Sequence, residues 1–78
     1  MPKIKSRNES VDKIIAAIRC RMAYCNMTQA ELAKRTGMST STLSDRLNRP
    51  GDMRLYEIVR ISTALKIEPE KLLRGEVQ

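Results

Sequence analysis

Residues 28–47 read TQAELAKRTGMSTSTLSDRL. Thr28 and Glu31 stand three apart, the spacing of a capping box: the threonine hydroxyl accepts from a first-turn N–H and the glutamate reaches back to the cap. The spacing predicts a helix capped by Thr28 and running to about Arg35, with Leu32 and Ala33 facing inward. Gly37 follows, where a helix that stops sharply wants a left-handed residue. Ser39 is placed to cap a second short helix, whose buried pair is Leu43 and Leu47, four apart. Ala33 is small where two helices joined by so short a turn must approach each other. Thr40, Ser41, Ser44, Asp45 and Asn48 are left on the outer side of the second helix.

The flanks supply the rest of a core. Upstream, Val11, Ile14, Ile15, Ile18 and Met22 recur at three- and four-residue steps, which predicts a helix over about 9–25. Ser6 with Glu9, or Ser10 alone, could cap it. Arg19 and Arg21 fall off that stripe and are expected to face water or a ligand. Residues 1–8 show no periodicity and carry Lys3, Lys5 and Arg7, which makes them a flexible basic arm by expectation. Downstream, Arg49-Pro50-Gly51-Asp52 is turn chemistry. A fourth helix over about 54–65 carries Leu55, Ile58, Val59, Ile61 and Leu65. Pro69 suits the first position of a last short helix holding Leu72 and Leu73. No useful length alternates at period two. The expectation is all-α: one compact five-helix domain over 9–74, with the arm at 1–8 and a short tail at 75–78.

Composition narrows the partner. The chain has 78 residues, with 15 Lys and Arg against 9 Asp and Glu, a net charge of +6 without any His. A core this small leaves no space for a two-domain enzyme or a barrel. The basic excess points to a polyanion. Two Tyr, with no Phe or Trp, argue against single-strand or RNA modules that stack bases on aromatic rings. Cys20 and Cys25 are too few for a disulfide framework, and five residues on a helix turn them about 140° apart. With no second Cys or His pair they do not form a metal site, and they are read as buried, reduced thiols suited to the cytosol. Nothing is long and apolar enough to span a membrane or to serve as a signal peptide. With no His, no Gly-rich phosphate loop and no reactive cysteine setting, no enzyme is expected, and no cofactor or small-molecule ligand.

Two short helices about a Gly37-Met38-Ser39 turn read as a helix-turn-helix, whose second helix can enter a major groove. Any small bundle also has an amphipathic helix with Ser and Thr outside, so spacing alone leaves both readings open. The run from Met27 to Ser44 resembles the lambda-repressor/Cro (XRE) family of helix-turn-helix proteins. So does Leu55-Tyr-Glu-Ile-Val-Arg-Ile-Ser-Thr-Ala-Leu-Lys-Ile, followed by Pro69-Glu-Lys-Leu-Leu. The likeness covers roughly residues 11–73. It implies a five-helix DNA-binding domain, usually a dimer on a pseudo-palindromic operator, with helix five and the C-terminal end as the usual dimer surface.

By that resemblance, Gln29 matches the glutamine that opens helix two, bonds a phosphate and braces the recognition helix. Ser39, Thr40 and Ser41 match the start of the recognition helix, where base edges are read. Ser44 and Asp45 match positions further along its groove-facing side. Asn48 and Arg49 match the region that holds the DNA backbone. Each has a plainer reading as a helix-start or solvent-facing residue. Asp45 would be repelled by phosphate unless it accepts from a cytosine amino group, and a salt bridge to Arg46 or Arg49 is an equal alternative. Arg54 could reach a phosphate near the start of helix four, or simply be solvated. Two departures stand out. Arg46 occupies a place where many members are apolar, and Arg49–Asp52 replaces a shorter glycine turn.

The expected function is therefore sequence-specific binding of double-stranded DNA by a small phage-type or bacterial regulator. It would be a cytoplasmic repressor acting as a homodimer. Control would come from concentration, proteolysis or another protein, because these residues leave no space for a sensing domain. The alternative is an interaction module of antitoxin type that covers a partner protein.

Overall fold

A computed structural model of the chain describes residues 9–76, and the basic arm at 1–8 lies outside them. Five helices follow one another: α1 (Glu9–Tyr24), α2 (Gln29–Thr36), α3 (Thr40–Asn48), α4 (Leu55–Ala64) and α5 (Pro69–Leu73). A 3₁₀ turn, Pro50–Asp52, sits between α3 and α4. No strand occurs among the described residues. α2 packs on α3 and on α4, and α5 closes the bundle against α1 and α4.

Local chemistry starts and stops these helices. Thr28 caps α2: its Oγ1 accepts from the Glu31 N–H at 3.1 Å, and the Thr28 N–H donates to Glu31 Oε1 at 3.0 Å. α2 ends at Gly37, whose φ of 77° is the left-handed conformation. Ser39 Oγ accepts from the Thr42 N–H at 3.1 Å and starts α3. Ser10 is the second residue of α1, and Ser6, the other cap read from the sequence, lies outside the described residues. Two helix ends use costlier left-handed residues. Asn26, at φ 56°, lets the Met27 N–H return to the Met22 carbonyl after α1. Lys66, at φ 59°, lets the Ile67 N–H return to the Ser62 carbonyl after α4.

The core is one cluster. Ile18, Leu32, Leu43, Ile61, Leu65 and Leu72 are fully buried, and Ala17, Met22, Ala33 and Leu47 join them. Every helix contributes at least one of these side chains, so the cluster fixes their arrangement. Several residues of the apolar pattern take other places. Leu55 and Val59 are exposed, at 71% and 44%, because α4 turns Ile58, Ile61 and Leu65 to the core instead. Leu73 is exposed beside buried Leu72. Cys20 is exposed and Cys25 half-buried, so neither thiol is a buried one.

Arg21 does not face free water. Its Nε donates to the Leu65 carbonyl at 2.9 Å and its second terminal nitrogen to the Lys66 carbonyl at 3.1 Å. Those carbonyls end α4, where a cation is favoured by unpaired C=O groups and by the helix dipole. Its guanidinium also lies 4.6 Å from the centroid of the Tyr24 ring.

Another polar contact ties α3 to α4 and is largely buried on its α4 side. Glu57 is 4% exposed on the first turn of α4. Its Oε1 accepts from the Arg54 N–H at 2.7 Å and from Arg46 Nε at 3.0 Å. One oxygen therefore caps α4 and ties it to α3. Burial pushes the Glu57 carboxyl up, but the Arg54 N–H and the Arg46 guanidinium together outweigh it and hold the group below its usual range. Arg46 is held protonated by the same bond.

Two stability predictions follow from this packing. A domain of this length is stabilised by only about 4–12 kcal/mol in total, at ~0.05–0.15 kcal/mol per residue. Leu43→Ala should cost about 2–5 kcal/mol, the range for a truncated core leucine. Denaturant titration checks it, and an unchanged midpoint would mean that Leu43 is not in the core. The Glu57 carboxyl has its pKa depressed in the folded state, so its contribution is present above the unfolded value near 4.5 and fades as pH falls through the lower folded value. Glu57→Gln should lower the melting temperature at neutral pH and flatten its fall below about pH 4.5. Thermal melts across the acid range would expose an error if both proteins lost stability in parallel.

Candidate nucleic-acid interface

α3 presents a polar face because its apolar content is a single pair. Leu43 and Leu47 point inward. At about 100° per residue, Ser41, Ser44, Asp45 and Asn48 fall on the side away from that pair, and Thr40 lies at the free first turn. Thr40, Ser41 and Asn48 are exposed, whereas Ser44 and Asp45 are half-buried. The structure thus brings four of the sequence-derived residues onto one helix face, with Thr40 exposed at its N-terminal end.

The hydroxyls and amide on this face have different freedom. Ser39 spends its oxygen on the cap and lies 2.8 Å from Thr42 Oγ1 and 3.4 Å from Ser41 Oγ. Its part is to set where α3 begins. Asn48 Nδ2 donates to Ser44 Oγ at 3.5 Å, one turn back.

Asp45 is tied to two arginines. One carboxylate oxygen accepts from Arg49 Nε at 3.1 Å and from an Arg49 terminal nitrogen at 3.0 Å. The other accepts from Arg46 at 3.4 Å. Between the two alternatives read from the sequence, both salt bridges form, and the carboxylate is neutralised on its own helix. Arg46 takes the place of an apolar anchor by bridging Asp45 on α3 and Glu57 on α4. The position remains an anchor, with an ion pair in place of an apolar contact.

Basic residues frame the face at its C-terminal end. Arg49 is exposed and follows α3, with its N–H bonded to the Asp45 carbonyl at 2.7 Å. Arg54 is exposed at the cap of α4 and is linked to α3 through Glu57 and Arg46. Arg19 was not among the residues singled out for contact. It is exposed on α1 and donates to Asn48 Oδ1 at 3.4 Å, across 29 positions of chain. The only signal for it in the sequence is that it falls off the apolar stripe, a property shared by any solvated arginine. Arg19, Asn48, Leu47 and Pro50 help line a shallow cleft of about 210 Å³ between α1 and the end of α3. Gln29 sits apart from this end, half-buried as the first residue of α2, the helix that packs against α3.

Chemically the arrangement offers short donors and acceptors on a slim helix, with cations near its C-terminal end. Among the described residues, no three His, Cys, Asp or Glu side chains converge as metal ligands. Among them also, no helix is long and apolar enough to cross a membrane.

No curated protein and no solved structure matches the chain. A family model does. The Cro/C1-type HTH DNA-binding domain matches residues 17–76, from the middle of α1 to beyond α5. That span takes in the capped turn at Gly37, the polar face of α3 and the 3₁₀ turn after it. Five helices in this order, with α2 and α3 forming the helix-turn-helix, place the chain in the family of Cro/C1-type HTH DNA-binding domains.

Proposed function

We propose that the protein is a cytoplasmic transcriptional repressor of phage-type or bacterial kind, which binds double-stranded DNA as a homodimer on a pseudo-palindromic operator. The observation that carries the reading is the outer face of α3, polar along its length, short in side chain and framed by cations. Family membership supports DNA binding by a regulator. Repression is the simplest action for a domain that occupies DNA.

In this reading the N-terminal turn of α3 enters the major groove. Thr40 and Ser41 meet base edges there, and the Thr40 methyl can pack on a thymine methyl. Short side chains require the helix to lie deep. Ser44 extends the readout by one turn, while Ser39 fixes the angle of entry. At the far end Asn48, Arg49 and Arg54 take phosphates, and Gln29 takes one beside the start of α2. Arg19 joins this clamp through Asn48. Asp45 acts through Arg49: holding that guanidinium from below limits its rotamers, so less entropy is lost when a phosphate arrives. No cofactor or small molecule enters the scheme.

The clamp should make binding steeply salt-dependent. With about four to six phosphates neutralised per copy, log K for a dimer should fall against log[salt] with a slope of roughly −7 to −11. Alanine at Gln29 or Arg49 should lower affinity on every duplex alike and make the slope shallower, because phosphate contacts position the protein rather than specify sequence. Fluorescence titrations at several salt concentrations check both, and a nearly flat response would exclude the reading.

The base-reading turn is tested separately. Thr40→Ala and Ser41→Ala should each cost about 1–3 kcal/mol on a duplex selected from random DNA, the size of a lost base contact. Each should cost little on unrelated duplex, where the clamp is untouched. Paired titrations at matched salt give the answer. Equal losses on both duplexes, or none on the selected one, would remove this turn from base readout.

A further inference from the structure

We propose that Arg46, through its bond to Glu57, is a positioning residue for base readout: it sets the rotation of α3 in the major groove without touching DNA itself. This role rests on the DNA-binding reading above and deepens it by naming a determinant of specificity on the side of α3 turned away from the groove.

Arg46 points the wrong way to read bases. At about 100° per residue it stands roughly 140° from Ser41 and roughly 160° from Ser44 around α3. Its side chain is half-buried and runs to α4, where Nε donates to Glu57 Oε1 at 3.0 Å. The same oxygen accepts from the Arg54 N–H at 2.7 Å. The bond therefore ends on a buried carboxylate that is itself fixed to the backbone at the start of α4.

The other anchors of α3 resist rotation poorly. Leu43 and Leu47 are its buried residues, and four positions place them within about 40° of each other around the axis. Apolar contact along one line of a helix is non-directional, so it yields to a small roll. α3 packs on α2 and on the 3₁₀ turn, while α4 packs on α2 and α5. Arg46 joins α3 to α4 across that arrangement with a bond that has both a length and a direction. Buried ionic groups can select one arrangement over its near neighbours even where they add little net stability.

A small roll acts unequally on the two kinds of DNA contact. Side-chain tips stand about 5–6 Å from a helix axis, so a roll of ~10° moves them by about 1 Å. Hydrogen bonds span only about 2.5–3.2 Å between heavy atoms, so such a shift breaks those made by Thr40, Ser41 and Ser44, whose side chains are too short to follow. Arg49 and Arg54 have long stems and several donors each, so they can re-aim at a phosphate. Losing the tie to α4 therefore removes discrimination between sequences and spares general affinity.

The test compares a duplex selected from random DNA by the unaltered chain with an unrelated duplex, at matched salt. Arg46→Met removes the bond and strands the Glu57 carboxylate. Arg46→Met/Glu57→Gln also removes that charge, keeps an oxygen for the Arg54 N–H, and leaves the net charge at +6, because one positive and one negative group are lost together. The double variant should melt above Arg46→Met alone. Its preference for the selected duplex should nevertheless fall roughly 5- to 150-fold, the size of one lost base contact. Its affinity for the unrelated duplex and its salt slope should stay those of the unaltered chain. Glu57→Gln alone keeps an acceptor for Arg46 and should keep the preference. An unchanged preference in the folded double variant would overturn the proposal. So would equal losses on both duplexes, or a loss in Glu57→Gln as large as in the double variant. If the double variant does not fold, Arg46→Lys is read in its place, since it keeps the charge pair but exchanges a planar fork for a rotating ammonium. Its preference should fall too, and an unchanged one would overturn the proposal. An unaltered chain that binds no duplex better than an unrelated one would instead overturn the DNA-binding reading.

Discussion

A buried carboxylate between two helices governs the pose of α3. Glu57 Oε1 accepts at once from the backbone that starts α4 and from the side chain of Arg46 on α3. α3 has only Leu43 and Leu47 to hold it to the core, because the rest of its surface must stay polar. Two leucines four apart fix depth and leave rotation about the helix axis weakly determined. The Arg46–Glu57 bond, off to one side of that pair, removes the remaining freedom. A buried ion pair adds little net stability relative to well-packed apolar residues, yet breaking one partner is costly. Its contribution here is to orientation.

The same bond organises the cations near the interface. Arg46 also reaches Asp45, and Asp45 holds Arg49. Glu57, Arg46, Asp45 and Arg49 thus form a chain of alternating charge from the buried start of α4 to the exposed end of α3. Acidic groups on a face meant for a polyanion would ordinarily repel it. Here both carboxylates are spent on arginines, and the outermost member of the chain is a guanidinium.

What could be read in the sequence is what is local. Thr28 with Glu31, Gly37 and Ser39 act within three or four residues of themselves, and their roles follow from spacing. The same holds for Leu43 and Leu47, whose helix is otherwise polar and offers no competing face. Contacts between distant segments left no such mark. Arg21 reaches α4 across 44 positions and Arg19 reaches Asn48 across 29. Both are arginines that the apolar pattern merely leaves out. α4 misled for the opposite reason: apolar on more than half its circumference, it fits several burial faces equally well, and only packing against α2 and α5 selects Ile58, Ile61 and Leu65. The left-handed ends at Asn26 and Lys66 were hidden because neither is glycine. The cysteines were assigned to the interior by residue type, which says nothing about their side of α1.

The central claim is that DNA meets this chain along the outer face of α3, with its backbone held at the end of that helix and at the start of α2. Amide chemical-shift mapping tests it most directly. The labelled chain is titrated with a duplex selected from random DNA, and the shifts are followed residue by residue. The account predicts changes concentrated at Gln29, along Ser39 to Arg49 and at Arg54, with Lys71 to Arg74, on and just after the helix that packs on α1 and α4, little affected. Shifts concentrated on α5, with the amides of α3 unmoved, would contradict it.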